Sequence, residues 1–119
     1  MYIVESKFGT LAFEGDFVIA TINSEVNVGK ETVNWAIKHV NQKFANQSYC
    51  YIDNHLNDYS IDPIETERLF AETPLKAYAI VVSSPFSLQN LFMEKLFYTA
   101  PVLIASSIND AKEKLQPFF

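Results

Sequence analysis

One cysteine, three glycines and nine basic residues are scarce supplies for a chain of 119, and each scarcity excludes something. The lone thiol, Cys50, cannot close an internal disulfide. Among apolar and aromatic neighbours it reads as a small buried hydrophobe in a strand. Gly9, Gly15 and Gly29 form neither a GxGxxG nor a GxxxxGK pattern, so the chain carries no nucleotide phosphate loop. It has no GxSxG elbow and no spacing that suggests a Cys–His nucleophile pair. Nine Lys and Arg against 14 Asp and Glu leave a net charge of −5. With no basic cluster to displace counterions, nucleic acid is not an expected partner. The apolar runs 77–82 and 100–105 are too short to span a membrane. The opening MYIVESKFGT has neither the basic nor the long apolar region of a signal peptide. These absences lead to the expectation of one cytoplasmic domain over residues 1–119, without cofactor or metal.

What is present is an ordinary globular composition, 49% apolar and 19% charged, enough for one buried core. The runs Phe8 to Phe13 and Phe17 to Ile22, separated by Glu14-Gly15-Asp16, predict a β-hairpin with Gly15 in its turn. From about Gly29 to Phe44, Val33, Ala36, Ile37, Val40 and Phe44 recur at helical spacing. Ser48 to Asp53 reads as a short buried strand. Asp62-Pro63-Ile64-Glu65 then offers a helix cap, a proline suited to the first turn and a capping box; that helix ends near Pro74. Lys76 to Ser84 is a nearly continuous apolar strand, as expected where helices cover both faces. A third helix is predicted over about Ser87 to Tyr98 and a last strand over Pro101 to Ala105. Ser107 and Asp110 open a final helix whose face is Ile108, Ala111 and Leu115, stopped by Pro117. The resulting order, ββαβαβαβα, is an α/β fold with a mostly parallel mixed sheet flanked by helices.

Candidate chemistry gathers in Tyr51 to Pro63, YIDNHLNDYSIDP, which runs from a strand end through a polar loop into a capped helix. Carboxyl ends of strands are where α/β domains usually place ligands. Asp53 and His55 are two residues apart on an extended segment, so their side chains share a side and can meet as an acid–base pair. Asp53, His55, Asp58 and Asp62 are suitable metal ligand types, but they form no compact motif and Asp62 is needed as a cap. Trp35 falls on the polar side of its helix near His39. It is either an interface anchor or a ring that a loop or the chain end covers. The third helix has more apolar surface than one stripe requires. Phe86, Leu88, Phe92 and Leu96 are its candidate contacts, whether with neighbouring helices, a second subunit or an apolar ligand.

The element order, with NDYSIDP (57–63), LKAYAIV (75–81) and SINDAKEKL (107–115), resembles the STAS (SpoIIAA-like) fold of anti-sigma-factor antagonists. Within that fold it is most similar to a group of small uncharacterised bacterial proteins. The resemblance implies a phosphorylatable serine at the start of the helix after the third strand. Ser60 stands nearest, in the context Tyr59-Ser60-Ile61-Asp62 where the family has Asp-Ser-Ser-Gly. The function expected is non-enzymatic protein–protein interaction through the 53–62 loop, with Asp58, Tyr59 and Ser60 beside Asp53 and His55 and with Trp35 as a further contact. In that reading Tyr59 and Ser60 are the most exposed reporters, the partner is an unidentified protein, and a homodimer is a candidate assembly. The alternative is a carrier or sensor of a small apolar ligand resembling CRAL-TRIO domains, and an enzyme built on His55 and Asp53 ranks last.

Overall fold

Three strands in succession open the chain, in a computed structural model that describes residues 1–57, 59–82 and 100–119. They are β1 (Tyr2–Ser6), β2 (Gly9–Glu14) and β3 (Phe17–Ile22). Then come β4 (Asn27–Val28), α1 (Lys30–Phe44), β5 (Tyr49–His55), β6 (Ser60–Ile61) and α2 (Pro63–Glu72). β7 (Leu75–Val82), β8 (Val102–Ala105) and α3 (Ile108–Leu115) complete the described part, followed by a 3-10 turn over Gln116–Phe118. The main sheet has the order β1-β2-β3-β5-β7-β8. Its first three strands pair antiparallel and the rest parallel, the mixed sheet expected. The expected third helix, with Phe86, Leu88, Phe92 and Leu96, lies outside the described residues, as does Asp58.

Burial follows from what covers each strand. β5 and β7 are buried at consecutive residues because helices lie on both faces. On one face α1 and α2 pack over Leu11, Phe13, Val18, Tyr51, Tyr78 and Ile80. On the other, Ala111 and Leu115 of α3 pack on Ile52 and on Cys50, Ala77, Ala79 and Ala105, four small residues that let a short helix approach closely. Cys50 is fully buried, and that burial pushes its thiol up to about 11. β2 alternates between buried and half-buried residues. β1, which the sequence reading did not include, packs on the core through Val4 and leaves Tyr2 and Ile3 exposed.

Turn and cap chemistry fixes these positions. Gly15 takes a φ of 59° in the β2–β3 turn, as the sequence anticipates. Gly9 is the stricter case: its φ is 144°, and a Cβ there would lie 2.2 Å from the Thr21 carbonyl oxygen. Asp62 caps α2, its Oδ1 accepting the N–H groups of Ile64 and Glu65 at 3.0 and 3.5 Å. The anticipated return arm of the capping box does not form. The Asp62 N–H is already donated to the Val28 carbonyl, and Glu65 instead accepts from Arg68 at 3.0 Å. At α3 the Ser107 hydroxyl accepts the Asp110 N–H at 3.0 Å, and Asp110 answers by accepting the Ser106 N–H at 2.9 Å.

Candidate functional site

The parallel register places Asp53 near the carboxyl end of β5, opposite Ala20 on β3 and Ile80 on β7. Its side chain is 2% exposed, on the face covered by α1 and α2, and a carboxylate so placed needs donors. Two phenols supply them. The Tyr59 hydroxyl donates to Oδ1, and the Tyr78 hydroxyl, rising from the adjacent strand, donates to Oδ2 at 3.3 Å, a longer and weaker bond. His55 Nδ1 lies 3.8 Å from Oδ2, so the i, i+2 pair does meet. The imidazole also stacks on the Tyr59 ring, centroids 4.3 Å apart. Asp53 thus joins β5, β7 and the loop ahead of β6.

That loop is fastened at further points. β6 pairs parallel with β4 in a two-stranded ribbon, through Ser60 N–H to the Val26 carbonyl at 3.1 Å and Asp62 N–H to the Val28 carbonyl at 3.0 Å. The Asn57 side-chain amide donates to the Ile22 carbonyl at 2.8 Å, and the Ser60 hydroxyl to Asn27 Oδ1 at 2.9 Å. Between the ribbon, the two helices and the sheet lies a cavity of about 20 Å³ that reaches Asp53, Tyr59, Thr32 and Thr66. A space of that size holds a single water.

Outside the network, a cleft of about 530 Å³ opens where β5 and β7 end against the start of α3. Asn54, His55, Leu56, Val82, Ser107 and Asn109 line it. Its walls mix amide and hydroxyl groups with apolar surface, including Leu56, which is 63% exposed. At its rim the Ser106 N–H, followed by Lys114, holds the Asp110 carboxyl below the usual carboxylate range. His55 belongs to both places, touching Asp53 on one side and the cleft on the other.

The structure sorts the sequence candidates. Asp53, His55 and Tyr59 come together, but Tyr59 is half-buried and turned inward, not an exposed reporter. Asp53 calls its hydroxyl in, and the imidazole holds its ring. Ser60 is exposed, as expected. Asp62 is occupied as a cap, and among the described residues no cluster of three His, Cys, Asp or Glu side chains is placed to hold a metal. Trp35 is half-buried over the cavity. Phe8, in the β1–β2 turn, lies against it at 5.7 Å and His39 at 6.2 Å, so a loop covers much of the ring that its helical angle placed on the polar side. Tyr78, Asn57 and Asn27 were not among the candidates. Tyr78 had one signal, a polar-tipped ring inside an apolar strand, which when buried seeks a partner.

Comparison with known proteins returns no match from family models, curated proteins or solved structures. Among the described residues, no helix is long and apolar enough to cross a membrane.

Proposed function

We propose that this chain is a non-catalytic, cytoplasmic binding module of STAS-like architecture that docks a protein partner at the carboxyl edge of β5 and β7. The observation that carries this reading is the cleft beside a loop fastened to the fold through Asn57, Tyr59 and Ser60. A surface fastened by Asp53, the ribbon and the α2 cap loses little freedom on binding, which favours recognition. Leu56 and Val82 supply apolar contact, and His55, Asn54 and Asn109 supply hydrogen-bonding groups around it. The Asp53 and His55 geometry favours a positioning role over catalysis, since two phenols engage the carboxylate and Tyr59 covers one face of the imidazole. The apolar-carrier reading puts its pocket on Phe86, Leu88, Phe92 and Leu96, which lie outside the described residues. Ser60 stands in this proposal as a candidate phosphosite at the rim of the same edge. Phosphate there would break its bond to Asn27 and add charge ahead of the Asp62 cap.

The test is native mass spectrometry of the full chain purified gently from its own host, beside two single variants. Leu56→Asp puts a charge at the cleft, and Ile64→Asp puts one on the exposed side of α2, where Ile64 is 75% exposed. Loss of a co-purifying protein with Leu56→Asp but not with Ile64→Asp supports docking at this edge. Equal retention in both removes the cleft from the interface. The same spectra report phosphate on Ser60 or a bound apolar molecule.

A further inference from the structure

We draw no further inference here: the strongest candidate, the outer edge of β1, unpaired among the described residues and with Met1, Tyr2 and Ile3 exposed beside it, carries nothing because nothing in the structure shows what covers it.

Discussion

β5 buries a polar side chain near each end, and the two ends use it differently. At the amino end Tyr49 is fully buried, its ring stacked on Phe44 at 4.8 Å and its hydroxyl 2.6 Å from Thr73 Oγ1. The Thr73 hydroxyl is donated to the Leu69 carbonyl, so its one proton is committed and Tyr49 is the donor to it. This short relay stops at the last turn of α2. At the carboxyl end, bonds from β7 and the loop ahead of β6 converge on Asp53, and His55 connects the group to an open cleft. A relay that closes inside the protein joins a helix to a strand. One that leads outward also sets the position of surface groups that a partner can meet.

The largest effect belongs to the carboxyl end. Asp53→Ala removes the shared acceptor of Tyr59 and Tyr78 and should cost about 3 kcal/mol in urea denaturation, since two phenol hydroxyls lose their partner at about 1 to 3 kcal/mol each. A loss below about 1 kcal/mol would break the comparison, because the network would then not be what holds the loop. Tyr59→Phe, which keeps the ring on His55, should show only part of the Asp53 loss.

Much of this contrast was legible from local pattern, and the remainder was not for identifiable reasons. The helical stripe of α1, the Asp62 cap, the Ser107 and Asp110 start of α3 and the meeting of Asp53 with His55 all depend on residues close in sequence. Tyr78 reaches Asp53 across 25 residues, through a parallel register that no local pattern encodes. β4 and β6 are two residues each, too short to show a period of two, and exist because they pair with each other. β1 was missed because only Val4 packs inward, leaving no alternation to read. Gly9 gave no cue until Thr21 was placed behind it.

Alkaline pH should expose the amino end. Burial pushes the Cys50 thiol from an ordinary 9.0 up to about 11 and raises the Tyr49 phenol, both groups being neutral when protonated. The folded chain therefore holds these protons more tightly than the unfolded chain. Their contribution is fully present below pH 9 and is lost as pH rises toward 11, with Tyr49 joining above about pH 10. Each group adds a slope of at most about 1.4 kcal/mol per pH unit. Denaturation midpoints between pH 9 and 11 should flatten in Cys50→Ala relative to the parent. Identical slopes would show that the thiol keeps its ordinary titration in the folded chain.

A smaller effect separates the two relays directly. Tyr49→Phe preserves the stack on Phe44 and deletes one neutral hydrogen bond, so the cost should be about 1 kcal/mol. Thr73 still donates to Leu69, and α2 keeps its end. A cost as large as that of Asp53→Ala would make the amino end an equal partner in stability and blur the distinction.

The smallest expected change in stability is the one that isolates function. Leu56 sits at the cleft rim, 63% exposed, one residue beyond β5, so it has little burial to lose. Leu56→Asp should move stability by no more than about 0.5 kcal/mol, as surface substitutions usually do. Any loss of partner binding in that variant then reports on the surface alone. Asp53→Ala cannot make that separation, since it loosens the loop and the surface together. The pair resolves cause from consequence: binding lost in both variants, with stability lost only in Asp53→Ala, means the buried carboxylate acts by holding the edge that Leu56 presents. Should Leu56→Asp also destabilise by several kcal/mol, the cleft is part of the folding core, and the carboxyl end of β5 is as structural as the amino end.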